Sequence, residues 1–458
     1  MRYLKFRDYN LVMGFFVHLS VCAQAPVLPP NPVTSILPQY TTSELVNRSD
    51  KKNSVSPPAS YLTLPNTQQR QNAAIIAETE RHINLSSVNL DIKADIEKMQ
   101  AQRTVNYSLP SFQNRAGTNF YREAFEKIIL TDTVYNLKET NFTIENAYFE
   151  NVLDKAEFDN AIKSAGDFIK SKMKEEKYSL DSNTAKNFML FSFFTESLVL
   201  KSDKQKHLPF KYDFEDYMGL KDYSKMFVSK LLATGSGQCH SMPLLYLLLA
   251  DEIGAEAYLA LSPNHSYIRF PDDHGKWFNI ELTNGMFSTD SYILQSGYIK
   301  SEALQSGIYM QNLSKKELLA NLLTDLASGY VRKYGYDEFV SEIIEKALSF
   351  YPNSVNAHIL NGQLKAARFE YVMRQLKINP NDQKDLQRIN QYPQAIKMLN
   401  EVNAVFAHVD NLGYEPMPDE AYQAWLQSMN KENEKQKNEE LTKQLRKALP
   451  DKKNTTKG

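Results

Sequence analysis

Cysteine is nearly absent from this chain, with Cys22 and Cys239 the only two among 458 residues. If the first segment is removed on export, only Cys239 remains, and one thiol excludes an internal disulfide framework. A solitary thiol left in an exported chain is a candidate reactive group. The shortage of cysteine therefore directs attention to position 239.

The chain also lacks an excess of charge and the common cofactor signatures. Lys and Arg number 53 against 54 Asp and Glu, so no net field favours nucleic acid or anionic membranes. No apolar run after the N-terminus approaches the ~20 residues of a membrane span. There is no phosphate-binding or dinucleotide glycine signature, and the histidines show no zinc-ligand spacing. We expect no nucleic-acid partner, no transmembrane helix, no metal and no cofactor.

The N-terminus has the layout of a secretory signal peptide. Three basic residues among the first seven precede a short apolar run at 11–21, and small residues follow from Ala23. The pattern predicts removal of 1–23 and export to the periplasm, the cell envelope or the medium. A lipid anchor at Cys22 remains open as an alternative to simple cleavage.

Composition then changes several times along the chain. Residues 24–70 are rich in Pro and Ser, which predicts a disordered linker. From 71 to 190, apolar residues recur at helical spacing, as Phe120, Ala124 and Ile128 do. Residues 430–458 are rich in Lys, Glu and Gln, typical of an exposed helix or a disordered tail.

A different pattern occupies 191–300. Cys239 precedes an apolar helix at 242–250 that is predicted to end at Gly254. Short apolar runs separated by turns follow, which predicts an antiparallel sheet with strands at 257–261, 266–270 and 277–281.

Helical periodicity returns at 315–429. Residues 330–357 resemble one tetratricopeptide unit, and a weaker pair of helices is predicted around 395–429. Three clean repeats are not found, so a full solenoid is not predicted. The expected fold is α+β: a mainly helical chain with a Cys-bearing helix on a small antiparallel sheet. The predicted parts are 1–23, 24–70, 71–190 (N-terminal helices), 191–300 (core), 315–429 (helical hairpins) and 430–458.

Three residues in the core have the chemistry of a thiol enzyme, which needs a nucleophile, a base and a group that orients the base. Cys239 precedes a helix, where free N–H groups and the helix dipole favour a thiolate. His265 opens the second predicted strand. Glu281 ends the third, and side chains on one face of neighbouring strands can form a hydrogen bond. The predicted nucleophile, base and acid are Cys239, His265 and Glu281.

Other polar residues nearby receive weaker assignments. Gln238 and Asn264 are candidates for positioning the backbone or an oxyanion. His240 is not expected to be the base, because adjacent helical residues do not face each other. His274 is expected to lie in a turn.

The same residues resemble the transglutaminase-like superfamily. The run from Gly237 to Gly254 is similar to the family's Gly-x-Cys and apolar helix, His265-Ser-Tyr to its histidine strand, and Trp277-Phe-Asn-Ile-Glu281 to its Trp-x-x-x-Asp motif. The compact spacing looks most like the bacterial branch that joins this core to tetratricopeptide-like helices. The chain departs from the pattern at Glu281, where Asp is usual, and at Tyr267, where Trp is common.

The resemblance implies an exported cysteine hydrolase or acyltransferase that acts on peptide-type amides through Cys239, His265 and Glu281. A peptide or protein would be its substrate. The alternative is a catalytically inactive scaffold of this fold, which binds an envelope or peptide partner through its C-terminal helices. An ordinary thiol pKa at Cys239 would favour the scaffold.

Overall fold

The computed structural model describes most of the chain after residue 104. The described residues are 92–96, 105–130, 135–217, 219–433 and the separate positions 442, 443, 445 and 447. The predicted signal peptide, the lipid anchor at Cys22, the linker and most of the predicted tail lie outside them. Those assignments stay predictions.

The chain divides into two compact units. The first comprises 1–31, 107–374 and 378–458, and it contains every residue of the predicted site. The second comprises 32–106 and 375–377, where the Gln375 side chain exchanges two hydrogen bonds with the Asn106 main chain (3.0 and 2.8 Å). The domain boundaries predicted at 190, 300 and 315 all lie inside the first unit and stay predictions.

Four helices lie between residues 118 and 195 of the first unit, and local capping explains where three of them begin. Asn136, Asp154 and Ser182 each accept a hydrogen bond from a main-chain N–H in the first turn of the helix that follows. The fourth helix is apolar on nearly all sides, which suits a helix surrounded by protein. The helices are α1 (Thr118–Leu130), α2 (Leu137–Tyr148), α3 (Lys155–Glu175) and α4 (Asn183–Thr195).

The central part alternates short strands with two helices. Its elements are β1 (Leu198–Val199), β2 (Lys206–His207), β3 (Lys211–Tyr212), a 3₁₀ helix (Tyr223–Met226), α5 (Val228–Thr234), β4 (Ser236–Gly237), α6 (Ser241–Ile253), β5 (Tyr258–Ser262), β6 (His265–Pro271), β7 (Trp277–Glu281) and β8 (Met286–Ser288). The last four strands form one antiparallel sheet in the order β5-β6-β7-β8. β1 pairs with β2, and β3 pairs in parallel with β4.

Helix α6 is the apolar helix predicted after Cys239. It is buried along almost its whole length and packs on α3, α4, β5 and β6. It ends at Gly254, whose φ of 69° lies in the left-handed region that glycine adopts at low cost. The helix thus carries its N-terminal end, and Cys239 before it, into the interior.

The remaining elements are helical. They are α7 (Asp290–Leu294), α8 (Ser301–Ser306), α9 (Lys315–Tyr334), α10 (Glu338–Phe350), α11 (Val355–Gln375), α12 (Gln383–Leu386), a 3₁₀ helix (Gln387–Gln391), α13 (Pro393–Asn411) and α14 (Asp419–Asn433). Ser314 and Glu317 form a reciprocal capping box at the start of α9. α9 packs closely on α10 and also on α2 and α1.

The described residues form a mainly helical structure with small sheets, as the predicted α+β class requires. The three predicted strands are present within one residue of their expected starts, whereas β8 was not predicted. His274 lies in the turn between β6 and β7, as expected. Within the described part of the chain, no helix combines the length and apolar character needed to cross a membrane.

Candidate active site

The segment before α6 fixes Cys239 against the sheet. Gly237 permits a close approach, because a Cβ there would come within 2.9 Å of the Leu231 and Ser241 side chains. The Ser241 hydroxyl accepts a hydrogen bond from the Gln238 N–H (3.0 Å), which closes the turn into the helix. The Ser266 hydroxyl of β6 donates to the Cys239 carbonyl. Cys239 is therefore held at the start of α6 and beside the first residues of β6.

The base candidate is placed by a tight hairpin. Ser262 pairs with His265 across a two-residue turn, in which Asn264 adopts a φ of 55°. Asparagine tolerates this left-handed conformation better than most residues. His265 therefore occupies the first position of β6, where its side chain is 1% exposed.

His265 and Glu281 form a buried pair. The register that sets Ile268 opposite Ile280 places both side chains on the same face of the sheet. His265 Nε2 lies 2.6 Å from Glu281 Oε2, and Glu281 Oε1 accepts a hydrogen bond from the Thr283 N–H (2.9 Å). Because Nε2 faces the carboxylate, Nδ1 is the ring nitrogen available to a neighbouring thiol.

A tyrosine from the far end of the chain joins this pair to the thiol. The Tyr422 hydroxyl of α14 lies 3.3 Å from Cys239 Sγ and 3.4 Å from His265 Nδ1. Trp425, one turn later, places its ring edge-to-face with the His265 imidazole at a centroid distance of 4.8 Å. Cys239, His265 and Glu281 thus converge, and α14 lies directly against them.

The surroundings of Cys239 and His265 favour a thiolate paired with an imidazolium. Burial alone would raise the Cys239 pKa, but the adjacent His265 imidazole, followed by the Tyr422 and Tyr212 hydroxyls, lowers it overall. Burial alone would lower the His265 pKa, but the Glu281 carboxylate, followed by Cys239, raises it well above the usual range. A lowered thiol pKa beside a raised imidazole pKa is the condition for a thiolate–imidazolium pair.

His240 belongs to a second buried ion pair. Its Nδ1 lies 3.0 Å from the Met226 carbonyl oxygen, which can only accept, and its Nε2 lies 3.0 Å from Asp325 Oδ2 on α9. Burial lowers the His240 pKa, but the Asp325 charge outweighs burial and raises it to about 9. The ring is therefore a buried cation committed to two acceptors, so it is not available as the base.

The side chains of the two candidate positioning residues bind main-chain carbonyls. Gln238 Nε2 donates to the Asp216 carbonyl (3.0 Å), and Asn264 Nδ2 donates to the Met417 carbonyl just before α14 (3.1 Å). Gln238 thus stabilises the loop that carries Cys239. In this conformation, the Asn264 amide binds the C-terminal segment.

Three residues beside the reacting groups, Tyr422, Trp425 and Tyr212, are not among those predicted from the sequence. A signal for the first two was present, since 422, 425 and 426 follow a helical apolar spacing and Trp425 is one of two tryptophans in the chain. That spacing predicts a buried helix face without indicating what covers it. No local pattern marks Tyr212, because strand β3 has only two residues.

Comparisons with known proteins add no family and no function to what this geometry indicates. No protein-family model matches the chain, and no curated protein matches it. A crystal structure of menin, described as revealing the binding site for the Mixed Lineage Leukemia protein, is similar over 76% of this chain and 99% of that one, at 12% identity. Its TM-score of 0.28 is too low to carry an argument about fold or function. Among the described residues, no group of three or more His, Cys, Asp or Glu is placed to hold a metal ion.

Proposed function

We propose that the protein is a transglutaminase-like cysteine hydrolase or acyltransferase acting on peptide-type amides. The observation that carries this proposal is the buried Cys239–His265–Glu281 arrangement at the junction of a helix start and two neighbouring strands. Along the chain, the nucleophile lies at a helix start and the base and acid lie on two strands. This order matches the motifs by which the sequence resembles the superfamily. The bacterial branch with helical hairpins remains part of the proposal.

The reaction follows from the contacts. His265 Nδ1 takes the thiol proton, and Cys239 Sγ attacks the amide carbonyl carbon to give a tetrahedral oxyanion. The oxyanion collapses, the C–N bond breaks, and His265 returns its proton to the leaving amine. A thioester remains, which water hydrolyses or an amine captures, with His265 again acting as base. Glu281 stabilises the imidazolium formed in each half-reaction.

The helix start provides the remaining electrostatic stabilisation. Main-chain N–H groups at the beginning of α6 and the positive end of the helix dipole lie next to Cys239. Both favour negative charge on the sulfur and on the oxygen of the tetrahedral intermediate.

The direct test compares the full chain with Cys239→Ala and His265→Gln. We expect the unaltered chain to hydrolyse a peptide amide or to transfer its acyl group to an added amine, with a covalent acyl adduct on the Cys239 peptide in mass spectrometry. Cys239→Ala abolishes both activity and adduct. His265→Gln leaves the thiol but removes its base, so acylation slows by roughly 10²–10⁴-fold.

A second outcome supports the inactive scaffold. If no amide or thioester substrate acylates Cys239 and its thiol titrates like a free cysteine near ~8.5, the hydrolase proposal is wrong.

A further inference from the structure

The reacting groups are sealed from solvent. The exposed fraction of the residue is 2% for Cys239, 1% for His265 and 5% for Glu281. An amide carbonyl cannot reach Cys239 Sγ unless part of the protein withdraws. Besides the Tyr212 hydroxyl of β3, the reacting atoms are contacted by the C-terminal segment Met417–Leu426, which we call the cover.

The cover contacts the site at three points. The Tyr422 hydroxyl lies within hydrogen-bonding distance of both Cys239 Sγ and His265 Nδ1, and the Tyr422 side chain is fully buried. Trp425 packs edge-on against the imidazole. The Met417 carbonyl accepts the Asn264 amide hydrogen bond. The cover thus places a hydroxyl beside the nucleophile, an aromatic ring against the base and a peptide carbonyl on the turn before β6.

The cover lies in a cleft with aromatic walls. Met417, Tyr422 and Leu426 form one buried cluster, and the partly buried side chains packed on it include Tyr212, Tyr217, Tyr292 and Tyr298. The Tyr217 and Tyr422 rings are 5.6 Å apart, a distance typical of attractive aromatic pairs. The opposite side of α14, including Ala424 and Gln427, is exposed. The helix therefore lies in the cleft by one face only.

We propose that the cover occupies the acyl-substrate cleft of this enzyme, and that the vacated cleft binds an aromatic side chain of a peptide substrate. The inference rests on the proposed function and adds a closed state and a substrate class to it. Tyrosine walls favour an aromatic side chain, because paired aromatic rings attract each other beyond the effect of buried area. Withdrawal also frees the Asn264 amide, which then binds the substrate carbonyl in place of that of Met417.

The first test measures access to Cys239 with a bulky maleimide in the full chain, followed by the mass of the Cys239 peptide. The double variant Tyr422→Ala/Trp425→Ala should react at least about tenfold faster than the unaltered chain, since it loses both aromatic contacts. Gln427→Ala, on the exposed side of α14, is the matched control and should react at the original rate. Equal rates in all three chains would overturn the proposal.

Tyr422→Phe separates obstruction from electrostatics. It keeps the ring and removes the hydroxyl that lowers the thiol pKa. At a pH above the thiol pKa of every variant, we expect Tyr422→Phe to stay as slow as the unaltered chain. A rate matching that of the double variant would mean that the hydroxyl, and not the presence of the cover, controls reactivity, against the proposal.

A measurement on the unaltered chain does not depend on variants that fold poorly. After slow reaction with the bulky maleimide, hydrogen exchange should rise in 417–426 and stay unchanged in α9 and α10, because the adduct displaces the cover. Unchanged exchange in 417–426 despite full labelling would contradict the inference.

The substrate class is tested in the double variant with two small amides. N-acetyltyrosinamide should slow the labelling of Cys239 at concentrations where N-acetylglycinamide has no effect. Equal protection by both would overturn the aromatic preference. The labelling rate tests the cover, and the thiol pKa tests the hydrolase proposal. If the double variant is labelled faster but its thiol has an ordinary pKa, the cover is supported and the hydrolase proposal is wrong.

Discussion

At the scale of single residues, the raised pKa of His265 depends on the Glu281 carboxylate. Its negative charge is the main cause that raises this pKa against the effect of burial, and Glu281 Oε2 lies 2.6 Å from His265 Nε2. The longer arm of Glu, compared with the Asp usual in the resembled motif, still reaches the imidazole. The remaining oxygen is occupied by the Thr283 N–H, which holds the carboxylate in place.

Glu281→Gln should remove the negative charge beside His265 while keeping a side chain of nearly the same size and shape. An amide cannot stabilise the imidazolium by charge, so the His265 pKa falls and the Cys239 thiol pKa rises. We expect acylation at neutral pH to slow by roughly 10²–10⁴-fold, within the range of such positioning groups. The measurement is the single-turnover rate of adduct formation on Cys239.

Glu256→Gln is the matched control for this substitution. Glu256 is exposed just before β5, where it accepts a hydrogen bond from the Tyr258 hydroxyl (2.9 Å). Its loss should leave the acylation rate unchanged. An equal effect of both substitutions would point to general destabilisation of the sheet.

At the scale of elements, the parts that the sequence predicted are those with local causes. Helix α6, its glycine end and the three strands β5–β7 follow from apolar periodicity and turn residues within 191–300. The convergence of Cys239, His265 and Glu281 is largely a consequence of this local order. The position of α14 could not be predicted in this way, because its partners lie more than 150 residues away in the sequence. Amphipathic spacing shows that a helix face is buried but does not identify the residues that cover it.

Helix packing in the C-terminal region provides a second test at this scale. A Cβ added at Gly362 of α11 would lie 2.8–3.1 Å from ring carbons of Phe406 on α13. Gly362→Ala should lower the free energy of unfolding by about 1–2 kcal/mol, because overpacking outweighs the helix propensity gained. Urea denaturation followed by circular dichroism measures the change.

Gly166→Ala in α3 provides the contrast. There the added Cβ would clash with Glu252 Cγ, and a change of rotamer of the partly exposed Glu252 side chain relieves the clash. We expect a smaller loss than at Gly362, because the helix propensity gained, up to about 1 kcal/mol, offsets the cost of the new Glu252 rotamer. Loss of similar size in both variants would contradict the assignment of the Gly362 effect to Phe406.

At the scale of the whole molecule, the site is assembled from distant parts of the chain. Asp325 of α9 holds the cationic His240 next to the nucleophile, while Tyr422 and Trp425 of α14 close the site. Helical periodicity at 315–429 predicts a separate helical region that could bind a partner. In the structure, these helices contribute directly to the surroundings of Cys239.

The His240–Asp325 pair predicts a pH-dependent stability. The folded-state pKa of His240 is raised to about 9 from an ordinary value of 6.5, so its contribution is fully present below the ordinary value and is lost as pH rises through about 9. Asp325→Asn should cost about 2 kcal/mol of unfolding free energy at pH 6 and less at pH 10. Asp167→Asn, in an exposed pair on α3, should show no such dependence. An Asp325→Asn cost that is the same at both pH values would contradict the charged pair.

The central claim is that Cys239 is an activated thiol, and the pH dependence of its alkylation by iodoacetamide tests it most directly. In the full chain, with the reaction followed on the Cys239 peptide, we predict a midpoint well below the ~8.5 of a free cysteine. His265→Gln should move that midpoint upward, because it removes the main group that lowers the thiol pKa. A midpoint at or above ~8.5 that His265→Gln leaves in place would contradict the account.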